Sequence, residues 1–183
     1  YGGAGADDLN GNRGPDLLNG QAGVDLVRGG QGDDLVFGGD GNDWHVNGNR
    51  GADRVSGDTG DDALFGGPRA DTLSGGWGRD VLSGDLGDDV LTGDAEADVF
   101  TFASGQGRDL VRDFSPGDRE VLRLDVDING SGIRTAADAL ARLVWDGAGT
   151  VLDLGAGNSL RIAGLAPAIF ELDDRGRLVR SIE

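Results

Sequence analysis

The chain of 183 residues holds 36 glycines, 33 acidic and 16 basic residues, a formal net charge of −17, one histidine and no cysteine or methionine. This composition excludes disulfide scaffolds, thiolate metal sites and thiol nucleophiles, and one histidine excludes a multi-histidine zinc protease site. The charge argues against nucleic acid, whose binders present a basic face, and no apolar run is long enough to span a membrane.

Composition changes near residue 101: residues 1–101 hold 25 of the glycines, with 20 acidic and 6 basic residues, and residues 102–183 hold 11, with 13 acidic and 10 basic. The first part is periodic. Its aspartates recur as Asp7, Asp16, Asp25, Asp34, Asp43, Asp53, Asp62, Asp71, Asp80, Asp89 and Asp98, nine apart except for the ten between Asp43 and Asp53. A glycine stands five residues before each: Gly2, Gly11, Gly20, Gly29, Gly38, Gly48, Gly57, Gly66, Gly75, Gly84 and Gly93. Another stands two residues before most of them: Gly5, Gly14, Gly23, Gly32, Gly41, Gly51, Gly60, Gly78 and Gly87, with Arg69 and Glu96 as exceptions. Two residues after each aspartate comes a large apolar residue, from Leu9, Leu18 and Val27 to Leu91 and Phe100; only His45 breaks the rule.

The unit G-x-x-G-x-D-x-U-x, with U apolar, is too short for a helical hairpin and fits a short strand with a tight turn. Glycine at the first and fourth positions predicts positive φ there. The second position, where it is not glycine, holds Asn12, Gln21, Asn49, Asp58, Asp85 or Asp94, mostly types that tolerate left-handed backbone. The x-U-x segment predicts a strand with one side chain inward and its neighbours outward.

These tandem copies resemble the calcium-binding nonapeptide of the RTX (repeats-in-toxin, haemolysin-type) proteins. The resemblance implies an all-β fold: a right-handed parallel β-roll in which two units make one coil of eighteen residues. Alternate units then share an edge. One edge carries Asp7, Asp25, Asp43, Asp62, Asp80 and Asp98, and the other Asp16, Asp34, Asp53, Asp71 and Asp89. Carboxylates stacked at roughly 4.8 Å repel unless cations lie between them. Together with the carbonyls of the turn glycines they form an oxygen-only donor set, which suits calcium before magnesium. Filling every gap takes about nine ions, and nine divalent charges nearly cancel the net −17. Without ions the segment is expected to be a self-repelling coil, so calcium is expected to control folding.

The ten-residue unit around Asp43-Trp44-His45-Val46 predicts a bulge that turns either His45 or Val46 inward. Leu26, Trp44, Val46, Phe65, Val81 and Val99 read as an outward apolar stripe, available to a cap, an upstream domain or another chain.

Residues 102–183 read as a β-rich cap with one short helix. Gly107-Arg108-Asp109-Leu110-Val111 repeats the G-x-D-x-U pattern, which makes Asp109 a further ligand candidate. Asp113-Phe114-Ser115-Pro116-Gly117-Asp118 and the strand Val121–Leu124 are similar to the cap of serralysin-type secreted proteins, where aspartates at such a turn also bind calcium; this implies Asp113 and Asp118. Asp125-Val126-Asp127-Ile128-Asn129-Gly130 matches the opening of an EF-hand loop but lacks its closing glutamate, so a polar turn is expected. Thr135 and Asp138 form a capping-box pattern ahead of a predicted helix Ala136–Val144. Strands are predicted at Thr150–Leu154, Ser159–Ala163 and Leu178–Ile182.

The expected function is a non-enzymatic calcium-binding, calcium-dependent folding module at the carboxy end of a secreted, extracellular protein of Gram-negative bacterial type. The opening inside a glycine pattern points to a piece of a longer chain. Its partners would be calcium, an upstream domain of the same polypeptide and the type I secretion machinery, although the tail Arg180-Ser181-Ile182-Glu183 matches an export signal poorly. The alternative is an adhesin or polysaccharide-recognition module that uses Trp44 and Trp77.

Overall fold

The computed structural model describes residues 1–115 and 118–165, together with the strand backbone at 170–172 and 178–180. Strands alternate between two parallel sheets. β1 (Gly3–Ala4), β3 (Leu17–Ala22), β5 (Leu35–Asp40), β7 (Arg54–Thr59), β9 (Thr72–Trp77), β11 (Val90–Ala95) and β13 (Arg108–Val111) follow one another in the first. β2 (Asp8–Asn10), β4 (Leu26–Gln31), β6 (His45–Arg50), β8 (Ala63–Pro68), β10 (Val81–Leu86), β12 (Val99–Phe102) and β14 (Val121–Leu124) form the second. This is the parallel β-roll expected from the repeat.

One apolar residue per unit builds the core. Leu18, Val36, Val55, Leu73, Leu91 and Val111 are in register across the first sheet. Leu9, Val27, Val46, Leu64, Leu82, Phe100 and Leu122 are in register across the second. All but Leu9 are buried. Each contributes about 1.5–3 kcal/mol on burial, and the row is only one residue deep per sheet. Such a core is thin.

The strands are longer than the expected x-U-x. They run six residues, as in Leu35–Asp40, because the ladder continues into the turn, with Gln21 opposite Gly39 and Asp58 opposite Gly76. Turn amides bond the next coil as well: Gly23 N–H donates to the Asp40 carbonyl at 2.8 Å.

The glycine roles differ from the expectation. Positive φ belongs to the second position and, Gly87 apart, to the fourth. At the second it is 72° for Asn12, 71° for Asp58 and 115° for Gly39, and at the fourth it is 150° for Gly23. The first-position glycines have ordinary φ and are required by contact instead, as described below.

The ten-residue unit does not bulge within its strand. Val46 takes the core place opposite Val27, and His45 pairs outward with Leu26. The extra residue leaves at the corner as Trp44, which is 61% exposed. Val46 therefore drops out of the outward stripe. His45 lies against Phe65, with ring centroids 4.8 Å apart.

The cap closes the roll. β13 is continued by β17 (Asn158–Ala163), which pairs antiparallel with β16 (Gly149–Gly155), and β16 pairs with β15 (Leu143–Trp145). A separate antiparallel pair joins β18 (Phe170–Leu172) and β19 (Leu178–Arg180); β18 was not anticipated. Phe102, Phe114, Ile128, Ile133, Leu152, Leu154, Leu160 and Ile162 are buried where the roll meets the cap and within the cap, and the Phe114 ring lies 6.2 Å from that of Phe100.

Helix α1 (Ala136–Leu140) starts with the predicted capping box, in which Asp138 N–H donates to Thr135 Oγ1 at 3.2 Å and Thr135 N–H donates to the Asp138 carboxylate at 2.8 Å. It stops before Val144. Leu143-Val144-Trp145 extends into a hairpin whose turn is held by Asp146, which accepts from Ala148 and Gly149 N–H. β-Branched and aromatic residues favour that outcome. The EF-hand-like stretch forms a single 3-10 turn over Ile128–Gly130, and its polar side chains are spent on backbone: Asp127 accepts from Gly132 N–H and Asn129 from Gly105 N–H. Residues 181–183, which include the end of the tail and of the last predicted strand, lie outside the described residues, as do Pro116 and Gly117.

Candidate metal centre

The roll brings the repeat aspartates onto its two edges in two ladders. On one, Asp7 N–H donates to Asp25 Oδ1, Asp25 to Asp43, Asp43 to Asp62, Asp62 to Asp80 and Asp80 to Asp98, at 2.7–2.9 Å. On the other, Asp16 donates to Asp34, Asp34 to Asp53, Asp53 to Asp71 and Asp71 to Asp89, at 2.7–2.8 Å. Asp109 extends the second ladder by accepting from Asp89 N–H at 3.1 Å. Each Oδ1 from Asp25 onward is thereby engaged, and those carboxyls are held at a fixed angle.

The second oxygen is different. Oδ2 of Asp7, Asp16, Asp25, Asp34, Asp43, Asp53, Asp62, Asp71, Asp80, Asp89 and Asp98 is buried and accepts no hydrogen bond. Buried, unsatisfied anionic oxygens cost several kcal/mol, and eleven of them in one small domain need a cation or a proton.

The first-position glycines explain where such a cation would be held. A Cβ on Gly20 would stand 2.3 Å from Asp25 Oδ2 and 2.4 Å from the Gly38 carbonyl. On Gly2 the corresponding oxygens are Asp7 Oδ2 and the Gly20 carbonyl, both at 2.6 Å; on Gly66 they are Asp71 Oδ2 and the Gly84 carbonyl, again both at 2.6 Å. A carboxylate oxygen and a carbonyl oxygen from the next coil thus converge over each of these glycines, with nothing to donate between them. Oxygen-only donors around a space that a methyl group would fill fit calcium. Among the described residues no three His, Cys, Asp or Glu side chains cluster as a ready-made metal site, so carbonyls must complete any ligand set.

The fourth-position glycines serve the stacking of turns. A Cβ on Gly41 would meet the Gly23 carbonyl at 1.7 Å, and one on Gly23 the Gly5 carbonyl at 1.8 Å. Where Arg69 and Glu96 replace glycine, φ is 88° and 84°, still positive.

The electrostatics follow from burial and crowding. Burial, with the neighbouring aspartates adding to it, pushes Asp43 and Asp80 up to about 6, Asp62, Asp89, Asp98 and Asp109 to about 7, and Asp71 to about 8. The same causes raise Asp34 and Asp53. Backbone N–H donors oppose the shift without cancelling it. In contrast, burial and the nearby Arg28 lower His45, which therefore adds no positive charge to the acidic roll at neutral pH.

In the cap, the Asp113 carboxylate accepts from Gly93 N–H at 3.0 Å and Asp94 N–H at 2.8 Å, so it touches the last turn of the first edge. Asp118 is exposed. The buried acid of that loop is Glu120, 2% exposed and raised to about 8 by burial and by Asp113 and Asp98. The sequence reading missed it, although Glu120-Val121-Leu122 repeats the acid-x-apolar order of every nine-residue unit.

A family model described as the RTX calcium-binding nonapeptide repeat (4 copies) matches residues 1–36, 10–44, 45–73, 65–100 and 74–111. No curated relative matches the chain by sequence. Among solved structures, the extracellular lipase LipA from Serratia marcescens is similar at 18% identity and a TM-score of 0.38 over 88% of this chain, which spans 37% of that protein's length. With matches that together run from residue 1 to residue 111, the chain belongs to the RTX calcium-binding nonapeptide repeat family.

Proposed function

We propose that the chain is a calcium-dependent folding module at the carboxy end of a secreted bacterial protein exported by type I secretion, and that its own residues carry no catalysis. RTX repeats are calcium-binding and typical of type I secreted proteins, which supports the wider setting. The observation that carries the folding role is the set of eleven buried aspartate oxygens without a donor. Calcium, when bound, supplies the positive charge those oxygens need, and the residues do the rest. The Asp N–H to Oδ1 ladder orients the carboxylates from Asp25 onward. The first-position glycines keep its free oxygen uncovered. The outward faces leave water outside the coil.

In this reading calcium is the larger part of the stability. The core is one residue deep per sheet, and ordering glycine costs more than ordering other residues. Extracellular calcium modules have Kd of about 10⁻⁴–10⁻³ M, so the roll would be open where calcium is scarce and closed outside the cell.

A recognition role would need a surface platform. Trp44 and Trp77 are 61% and 69% exposed and lie at turns of the same edge, beside Asp43 and Asp80 with the Asp62 turn between them, which is the observation that favours such a role.

The test is far-UV circular dichroism during a calcium titration of metal-free protein, with magnesium as control. A cooperative coil-to-sheet transition with calcium and none with magnesium is expected. A fully folded spectrum before any calcium is added would refute the folding role.

A further inference from the structure

The basic residues of the roll gather on one side of it. Of the six arginines in residues 1–101, Arg13, Arg50, Arg54 and Arg69 fall at the second edge. Arg50 ends β6 and Arg54 opens β7, on either side of the Asp53 turn, and Arg69 lies in the Asp71 turn of the next coil. Arg13, Gln31 and Arg50 follow one another in register along this edge. All four arginines are exposed. The ion pairs among the described residues are Arg28 with Asp8 and Arg161 with Asp146, so none of the four has a carboxylate partner. Apart from the buried Asp53 and Asp71, residues 50–54 and 68–72 hold no acid, whereas the first edge carries the exposed Asp40 and Asp61 at its neighbouring turns. Asp33, in the coil before, turns an oxygen to Ala52 N–H at 2.9 Å. Arg69 stands where the same edge elsewhere has Gly14, Gly32, Gly51 and Gly87, and it keeps φ at 88°, a backbone that a side chain disfavours. The repeat gives up its glycine where a third cation joins Arg50 and Arg54.

We infer that Arg50, Arg54 and Arg69 form a docking surface for a sulfated polysaccharide. Guanidinium groups are planar, weakly hydrated forks that bind oxyanions through paired N–H donors, and basic patches hold heparin-like chains. Coils stand roughly 4.8 Å apart, so arginines on neighbouring coils can reach successive anionic groups of one extended chain. Carboxylate polymers engage calcium themselves, whereas sulfate esters stay free for arginine at the calcium levels that load the roll. The surface lies on the edge opposite Trp44 and Trp77, so it goes beyond the recognition role that those two favour. Its calcium dependence rests on the reading above: the metal-free chain at −17 repels a polyanion, and about nine divalent ions nearly cancel that charge.

The test is binding of the full chain to immobilised dextran sulfate in about 10 mM calcium, with dextran and carboxymethyl-dextran as controls. The parent chain is expected to bind dextran sulfate about tenfold or more tightly than the carboxylated polymer, to leave dextran unbound, and to weaken as salt rises. Arg50→Ser with Arg54→Ser should weaken binding about tenfold and Arg69→Gly about threefold, while Arg79→Ser on the first edge stays within about twofold. Arg69→Gly restores the glycine of the repeat, so its loss of binding is not a loss of fold; it carries the test alone if the double variant lacks the far-UV spectrum of the parent in calcium. No binding to dextran sulfate, equal binding to carboxymethyl-dextran, unchanged binding in the arginine variants of the second edge, or an equal loss in Arg79→Ser each overturns the inference. Binding that persists in chelator and is lost in the second-edge variants would keep the surface and refute the calcium reading, so the two failures are distinct.

Discussion

Replacing Asp71 with asparagine should change stability in opposite directions with and without calcium. Asp71 is 2% exposed; its Oδ1 accepts from Asp53 N–H at 2.7 Å, and its Oδ2 stands beside the Gly84 carbonyl with no donor between them. An Asn Oδ1 keeps the first bond, and its Nδ2 gives the Gly84 carbonyl a donor where it now faces another oxygen. In metal-free protein at pH 7, the carboxyl raised from 3.8 to about 8 must take up a proton to fold, at roughly 1.4 kcal/mol per pH unit between the unfolded value and the solution. Asp71→Asn removes that requirement and should stabilise the metal-free roll by an amount on the order of 4 kcal/mol. With calcium the same change removes a ligand that faces the gaps on both sides. At tenfold excess over Kd each lost ion costs about 1.4 kcal/mol, so the calcium-loaded form should lose about 1–3 kcal/mol. Urea melts followed by circular dichroism with calcium at about 10 mM, a level above the typical Kd of extracellular modules, measure one arm, and the ellipticity of the metal-free chains at pH 7, greater in the variant than in the parent coil, measures the other. A shift in the same direction in both would refute the assignment of Oδ2 as an unpaired, cation-seeking oxygen.

The metal-free chain should gain structure on acidification. Its buried acids sit between about 6 and about 8 in the roll, above the ordinary values near 4 of the unfolded chain. The folded state then holds more protons across that interval, and stability falls as pH rises through it. Ellipticity that grows on titration from pH 8 to about pH 5 in metal-free buffer checks the sign; a flat or opposite trend contradicts it. Gly20→Ala places a methyl 2.3 Å from Asp25 Oδ2 and 2.4 Å from the Gly38 carbonyl, and should weaken the calcium-induced transition by more than about 2 kcal/mol in urea melts. Trp44→Ser should leave the calcium-loaded stability within about 0.5 kcal/mol, whereas Leu64→Ala in the buried row should cost about 2–5 kcal/mol by the same melts.

The architecture was legible in the sequence because every coil states the same instruction. Asp-x-U sets the inward residue and the edge carboxylate together, and nothing distant needs to be known. The two glycine classes were harder to separate, since spacing does not distinguish a residue that needs positive φ from one that must lack a Cβ beside Asp25 Oδ2. The ten-residue unit misled for a related reason. An insertion has no preferred side on paper, and the core selected Val46 over His45 because a burial site in a dry row accepts a valine at no polar cost. Glu120 was obscured by its context: no glycine precedes it at the repeat spacing, and Asp118 lies closer to the turn. Only the acid-x-apolar triplet signals it. In the cap, the helix ended early because the pairing of Leu143–Trp145 with β16 outweighed helical periodicity.

The register of the roll does not depend on the length of each unit. Asp34 and Asp53 are nineteen residues apart, Asp89 and Asp109 twenty, and yet the inward rows Val36–Val55 and Leu91–Val111 stay aligned. Extra residues leave at the corners, as Trp44 does, while the strands and the ladder of amides and carboxylates hold their pitch. Each coil is thus a frame of fixed height with a perimeter that can grow. Variation in such a chain is channelled outward: new loops can be acquired at the corner after Asp43 without renegotiating the interior, so the acidic spine and the decoration of the surface are free to evolve at different rates.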